Sequence, residues 1–530
     1  MAVFILCIAT SAQAATFTLI NSNPANNAVD VSRTDSLSLT FSTNLDPRSA
    51  SRNGVLLQSS ATGIQQVSLS VSGAVLTIRP LTPLLPFTRY TLSISLLVGS
   101  NGEQPESTMV LTFKTRDATW QAEQQVYNVA LGQWNTVTAT NSSGVRFIAW
   151  MQPNNPGVGY DVWGVRQIPG RAPSDPVLIA RFPNSEIFEV KIFIDDAGNG
   201  FVSWITDTPP NPAHVWVARF TTSNGWSAPQ IINGNSKLTG GDVHIAFDNA
   251  GNALALWKEH NCCGGLSYQR IIASRFTVNN GWSKPVHLDD SASLFWGKID
   301  IEMDKAGNAY ATWLDLKSTT QLFPELMVSR YVLNNGWSTP QAVATESASH
   351  TDGYQVLAVN PRGEALLIWA DDYGVSIARA DNAGNWTPSM VIDSSNTYAP
   401  TQAVLLDDGQ AFAAFGNGLM NFTPEKGQWS KHPLQTDGST TQGGDVSIIA
   451  DASGNALAAW VQVIDHIPAL YTKRYRSHWG WLGTVRMDMH NPSVGAELME
   501  LAPQASGSAV LSWLQSAGDA SQDLRAARFE

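Results

Sequence analysis

Apolar and polar residues alternate with a period of two along almost the whole chain. Between residues 16 and 116 the pattern reads Leu37-x-Leu39-x-Phe41, Leu76-x-Ile78, Tyr90-x-Leu92-x-Ile94 and Leu111-x-Phe113-x-Thr115. Such runs, separated by Asn, Gly and Pro turns, predict short antiparallel strands packed as a β-sandwich. From residue 119 onward the strand-like pieces come in sets of four. In one set they are Gly241–Phe247, Ala253–Trp257, Ile271–Phe276 and a piece opening Gly281-Trp282-Ser283.

A single phrase joins the first and second pieces of each set: Asp-x-x-Gly-Asn, with Trp five residues after the Asn. Full copies begin at Asp195, Asp248, Asp304 and Asp451, followed by Trp204, Trp257, Trp313 and Trp460. Degenerate copies run Asn141 to Trp150, Asn360 to Trp369, Asp407 to Phe415 and Gln504 to Trp513. Measured at the aromatic residue, the eight copies are 45 to 56 residues apart. A period of this length built only from short strands predicts a β-propeller. The Asp accepts a bond from its own following backbone, and the Gly supplies the positive φ of a tight hairpin. The recurring Trp is expected to pack against the next blade. The chain ends on a third piece, Arg528-Phe529, while Thr119–Glu123 stands before the first set. Together these predict one blade completed from both ends, so that no open edge remains. The expected fold is all-β, with an eight-bladed propeller over 119–530 and seven blades as the alternative.

The first hundred residues resemble the bacterial Ig-like domain first described in surface-layer proteins. The matching pieces are Asn23-Pro24 to Val29-Asp30-Val31, Leu39-Thr40-Phe41-Ser42, Leu76-Thr77-Ile78-x-Pro80, Tyr90-x-Leu92 and Phe113-Lys114-Thr115. The resemblance implies a spacer or presentation module over 15–116. The repeats resemble secreted bacterial propellers of the broad sialidase and lectin-like superfamily. The sialidase Asp-box, Ser-x-Asp-x-Gly-x-x-Trp, is different: here Asp and Gly are three apart and the Trp comes later. Sialidase chemistry also needs three arginines that break the repeat. Arg166, Arg219, Arg275, Arg330, Arg379, Arg474 and Arg528 instead obey it. They are expected to be structural, paired with acidic groups of neighbouring strands.

Composition narrows the function. The chain has 530 residues, 43% apolar content and 14% charged content, so it can bury more than one core. A net charge of −12 repels phosphate backbones and anionic membranes, which argues against nucleic acid as a partner. Val3–Ile8 and Ala12-Gln13-Ala14 predict a signal peptide over 1–14, although only the Met1 amine supplies its positive end. No later segment is long and apolar enough to span a membrane. These features predict a secreted, periplasmic or cell-surface protein, read as a monomer. The sequence contains no Gly-x-x-x-x-Gly-Lys, His-Glu-x-x-His or Gly-x-Ser-x-Gly. The Asp-Asn-Ala-Gly-Asn turn lacks the alternating ligands of a calcium loop. No catalytic residue, metal ligand or cofactor is assigned.

Residues that recur in every blade serve the scaffold, so the ligand-binding candidates lie where the repeat is interrupted. The loops on the face opposite the Asp-x-x-Gly-Asn turns supply them. Blade two offers His214 and Trp216, blade three His260, Cys262, Cys263 and Tyr268, and blade seven His466. Connections between blades add Phe295, Trp296, Asp352 and Tyr354. Aromatic platforms among short polar groups suit sugar rings or a protein surface. Cys262 and Cys263 are expected to form a vicinal disulfide in an oxidising compartment. The favoured function is a binding or adhesion protein for a glycan or an extracellular protein. The alternative is an exo-acting, sialidase-like glycoside hydrolase or lyase with a central pocket.

Overall fold

The computed structural model describes residues 17–530 except 130–133, 156–158, 209–210, 235–238, 261–268, 290–296, 317–323, 345–354, 372–373, 396–397, 435–445, 465, 490–494 and 517–521. All regular structure among them is β. The chain divides into two compact units, one ending at Thr119 and one starting at Trp120.

The first unit is a two-sheet sandwich. One sheet orders Leu19–Asn23, Leu37–Phe41, Val75–Pro80 and Val67–Ser72. The other orders Ala28–Val31, Met109–Thr115, Arg89–Ile94, Val55–Ser59 and Gly63–Ile64. The alternating residues predicted to face inward do so: Leu39, Phe41, Leu76, Ile78, Tyr90, Leu92, Ile94 and Phe113 share one core. The Tyr90 hydroxyl accepts the Leu85 N–H at 2.9 Å, which satisfies the one polar atom its ring carries inside.

Among the described residues the second unit contains eight sheets, each of four or five strands. Their innermost strands are Trp134–Thr140, Glu186–Ile194, Thr239–Phe247, Asp300–Met303, Gln355–Val359, Pro400–Leu405, Val446–Ala450 and Ala496–Pro503. Each lies against the innermost strand of the following sheet, and the eighth lies against the first. The arrangement is propeller-like. The last sheet takes its outer strand from the start of the unit: Gln124–Val129 pairs antiparallel with Gln522–Phe529. Pairing of the two ends was expected, but the regular strand lies beyond Thr119–Glu123. Within that earlier stretch Trp120 makes a single bridge to Phe529, their rings 5.2 Å apart.

The repeated aromatics fill the spaces between sheets, on the side opposite to the expected one. Seven of the eight pack against the preceding sheet. Trp204 lies among Phe147 and Ala149 of the first sheet, and Trp257 among Phe201 and Val217 of the second. Trp460 lies among Phe412 and Ala414 of the sixth. Trp150 packs with Leu514 and Leu524 of the eighth, so the same contact seals the last sheet to the first. Burying these rings removes a large apolar surface from water and contributes to cohesion between the sheets.

The turn phrase is explained atom by atom. In the second sheet Asp195 Oδ1 accepts the Asn199 N–H at 2.8 Å, and Asn199 Nδ2 donates to Asp195 Oδ2 at 3.0 Å. Gly198 takes φ +80°. The Asn199 Oδ1 then accepts the Thr222 N–H from the neighbouring hairpin at 3.2 Å. Asn252, Asn308 and Asn455 repeat this staple to Val278, Leu333 and Ser477. In the sixth sheet the turn runs from Leu406 to Gln410, so its Asp407 does not hold the first position. The phrase also appears once on the outer hairpin of the fifth sheet, at Asp381–Asn385, with the same internal bonds. It is a portable turn, independent of place in the blade.

The repeated arginines depart from expectation. Their main partners are rings of the next sheet, not acids: Arg219 lies 4.8 Å from the Phe276 ring, Arg379 4.4 Å from Phe422 and Arg474 5.0 Å from Phe529. The carboxylate contacts sit at the outer limit of an ion pair and lie within the same sheet, as in Arg275–Asp248 and Arg474–Asp451 at 3.9 Å. Arg330 differs again, donating to the carbonyls of Asn382 and Ala383 in the fifth-sheet turn.

Candidate functional site

Hairpin geometry puts the Asp-x-x-Gly-Asn turns at one end of the sheets and the described sequence candidates toward the other. Four of the sequence candidates lie within the described residues. Cys262, Cys263, Tyr268, Phe295, Trp296, Asp352 and Tyr354 lie outside them, as does the expected disulfide. His214 and Trp216 were expected in a long loop, but both belong to the strand Asn211–Thr221. Thr208 pairs with Asn211 across the two strands. Trp216 is not a free platform. It stacks on Trp204 at 6.4 Å with planes 2° apart, and its Nε1 donates to Thr206 Oγ1 at 3.0 Å. His214 lies opposite Thr206, edge-on to Trp216.

His260 ends the strand Ala253–His260, between Thr239 and Gln269. The neighbouring Gln269 is 1% exposed, and neither of its amide atoms has a hydrogen-bond partner among the described residues. His466 sits at a two-residue turn between Ile464 and Ile467 with φ +67°, where a long loop was expected. Tyr471, expected in that loop, is a strand residue stacked on Trp460 at 5.9 Å. The seventh sheet is remote from the second and third around the ring. The four described candidates therefore do not form one site.

A charged cluster that sequence reasoning passed over lies between the second and third sheets. Asp242 is its centre. Lys191 Nζ and His244 Nε2 approach Asp242 Oδ1 at 2.9 and 3.0 Å, and Lys258 Nζ approaches Oδ2 at 2.8 Å. Lys258 also donates to the Gly297 carbonyl at 2.9 Å. Burial alone would raise the Asp242 carboxyl, but His244, Lys191 and Lys258 overcome it and hold the group far below the usual carboxylate range. The local backbone makes this possible. Glu189 and Asp242 have φ of +52° and +53°, and the pairing register slips at both places. Bulges of this kind re-aim side chains. Here they turn Asp242 toward Lys191 while the Asp242 N–H donates to Glu189 Oε2 at 2.6 Å. The signal was present in the sequence: charged residues two apart, Glu189/Lys191 and Asp242/His244, on strands that are otherwise largely apolar. Lys258 is two residues from His260, so the cluster adjoins the interrupted third-sheet loop.

The Asp242–N–H bond belongs to a series. Asp300 accepts the Leu357 N–H at 3.3 Å, Gln402 the Ile448 N–H at 2.9 Å and Glu500 the Thr140 N–H at 2.6 Å. These clamps join second to third, fourth to fifth, sixth to seventh and eighth to first sheets. In the first of them the clamped residue is itself an acid, and it gathers Lys191, His244 and Lys258.

At the turn end, a polar cavity of about 540 Å³ is lined by Asp195, Asp196, Asp248 and Glu302 together with Ile245 and Ile301. Desolvation, and then the charge of Asp300, push the Glu302 carboxyl up to about 8, with Lys298 pulling the other way. The side chain is exposed and lines the cavity. Among the described residues no group of three His, Cys, Asp or Glu side chains is placed to hold a metal ion.

Residues 13–115 match the family model described as the bacterial Ig-like domain. The first unit is an Ig-like domain. No curated protein matches the chain in sequence. Solved structures with a similar chain course include puromycin hydrolase, with 13% identity, 73% of this chain covered and a TM-score of 0.42. The chain spans 58% of the length of that protein. The β-propeller domain of the Trilobed protease from Pyrococcus furiosus has 10% identity, with 70% of this chain and 98% of that chain covered and a TM-score of 0.38. The NanB sialidase from Streptococcus pneumoniae has 12% identity, with 97% of this chain and 92% of that chain covered and a TM-score of 0.33.

Proposed function

We propose that this chain is a secreted or cell-surface binding protein. An Ig-like spacer of the surface-layer type, over 15–116, presents an eight-bladed propeller over 119–530. The propeller face opposite the repeated turns engages a glycan or an extracellular protein. One observation carries this reading. The turn end is built from copies of one phrase, whereas the opposite end of the second and third sheets gathers Lys191, Asp242, His244 and Lys258 into a cluster that no other sheet repeats among the described residues. Asp242 is held ionised and fully engaged, so it acts as a counter-ion that fixes two ammonium groups. Fixed donors beside a sugar or peptide surface lower the entropy cost of binding. The Cys262–Cys263 disulfide, cleavage after Ala14 and a monomeric state belong to the same proposal.

The alternative, an exo-acting glycoside hydrolase or lyase, has one observation in its favour: the raised carboxyl of Glu302 in a polar cavity near three aspartates. Asp195 and Asp248 are committed to their turns, however, through Asn199 and Asn252. A glycan array read together with a panel of fluorogenic glycosides separates the two. Retention without turnover supports a binding protein. Turnover of any glycoside, abolished by Glu302→Gln, supports the enzyme and sinks the first reading.

A further inference from the structure

The second and third sheets differ where their innermost strands begin, at the end away from the repeated turns. Counted back from the first residue of the turn, Glu189 and Asp242 hold equivalent places, six before Asp195 and Asp248. Both have positive φ, and both sit at a slip in the strand pairing. The residue before them is Phe188 in the second sheet and Gly241 in the third. The first sheet has Trp134 at this place and the fourth has Gly297. Phe188 leaves 43% of its surface exposed. Packing explains Gly297, since a Cβ there would lie 3.0 Å from Leu314. It does not explain Gly241. Among the described residues no atom lies within 4 Å of that Cβ position, and the φ is not in the left-handed region. A strand glycine that neither packing nor φ requires marks a place where another group approaches closely. The Glu189 carboxylate accepts the Asp242 N–H at 2.6 Å, so Phe188 and Gly241 each adjoin one end of the same bond.

We propose that Phe188 is the stacking platform for a neutral sugar ring, which enters the space left open over Gly241. The inference rests on the reading that this end of the second unit binds a ligand, and it selects a glycan over a protein. Stacking the C–H face of a pyranose on the phenyl ring removes both surfaces from water. The sugar hydroxyls then need fixed partners, and the charged cluster supplies them. Each ammonium carries three hydrogens. Lys258 directs one to Asp242 and one to the Gly297 carbonyl. Lys191 directs one to Asp242 and stands 3.4 Å from His244 Nε2. At least one hydrogen of each ammonium remains for a ligand. Charge sets the class of sugar. Lys191 and Lys258 meet Asp242 and Glu189, two positive groups against two negative ones. His244 adds positive charge only when protonated. A balanced site has no excess charge to hold a uronate or a sulfated sugar. A protein partner would need a wider apolar core around its anchor than one ring among charged groups.

The test is affinity electrophoresis of the intact chain in gels containing neutral polysaccharides (xylan, laminarin, hydroxyethylcellulose, galactomannan) or anionic ones (polygalacturonate, hyaluronan). Phe188→Ala, Phe188→Trp, Gly241→Val and Lys191→Ala run beside the wild type, each shown to be folded by its melting point. A neutral polysaccharide retards the wild type. Phe188→Ala and Gly241→Val each weaken that binding by about tenfold or more, and Phe188→Trp keeps most of it. Gly241→Val separates a site from a scaffold, because a side chain placed in open space leaves the melting point unchanged. Absence of retardation in every neutral gel overturns the proposal, as does retardation by the anionic polymers alone. Retardation lost in Lys191→Ala but kept in Phe188→Ala overturns it and leaves the reading of this face intact. Retardation kept in both overturns the two together.

Discussion

The Glu500 carboxylate accepts the Thr140 backbone N–H at 2.6 Å, between residues 360 apart in the chain. It also accepts the Thr140 and Thr138 hydroxyls at 2.7 and 3.2 Å. Arg146, 3% exposed, donates from Nε to Thr140 Oγ1 at 3.1 Å and feels the Glu500 charge. One acid therefore ties the eighth sheet to the first from the inside, while Gln124–Val129 ties them from the outside. Glu500→Ala strands a backbone donor and leaves Arg146 without its counter-charge. It is expected to destabilise the second unit by about 3–5 kcal/mol, with Glu500→Gln losing about half as much. Urea unfolding of the two variants checks both values. An effect below about 0.5 kcal/mol for Glu500→Ala would mean that this junction does not hold the ring.

Tryptophan substitutions should separate scaffold from surface. Trp313, 0% exposed between the third and fourth sheets, is expected to cost about 3–5 kcal/mol when changed to Ala. Trp479→Ala, at a side chain 72% exposed, should stay within about 0.5 kcal/mol. Thermal midpoints measured side by side decide this, and equal losses would contradict the packing described.

The turn chemistry makes a sharper prediction. Gly307 has φ +89°, and a Cβ there would lie 3.2 Å from Asp248 Oδ2 of the preceding sheet. Gly307→Ala is expected to cost about 1–2 kcal/mol. Gly483, with open space around its Cβ position and no positive φ, should accept alanine without loss. Chemical denaturation of both variants is the check.

Two acids should give stability opposite dependence on pH. The Asp242 carboxyl is depressed in the folded state, so the stability it contributes is complete above its unfolded value near 4 and is lost as pH falls below about 4. Glu302 is raised to about 8, so its contribution is complete below its unfolded value of about 4.3 and declines as pH rises toward 8. Asp242→Asn should flatten the acid limb of the melting profile, and Glu302→Gln the limb between about pH 4.5 and 8. Profiles that match the wild type in both variants would refute these assignments.

Much of the architecture was legible because periodicity alone determines it. The strand pattern of the first hundred residues, the eight turns and the burial of the repeated aromatics all follow from local chemistry. What the sequence hid depends on register and direction. Trp204 and its equivalents point to the preceding sheet, a choice that period-two alternation leaves open. The arginines meet rings of the next sheet because the residue after each arginine is usually Phe or Tyr, a coincidence visible only once sheets are stacked. The Asp242 cluster depends on two bulges with positive φ at non-glycine residues, which no pattern of apolar positions announces. His214 and Trp216 were misplaced because Pro209–Pro210 read as the start of a long loop, whereas both residues belong to the strand Asn211–Thr221.

The most direct measurement compares array binding of the intact chain with that of His260→Ala, Lys191→Ala and the turn-end control Asn224→Ala, all confirmed folded by their melting points. Binding at the end opposite the repeated turns predicts a ligand retained by the wild type and by Asn224→Ala. His260→Ala and Lys191→Ala should each weaken that binding by about tenfold or more, with no glycoside turned over. Unchanged binding in both substituted chains, or hydrolysis of the ligand, would contradict it.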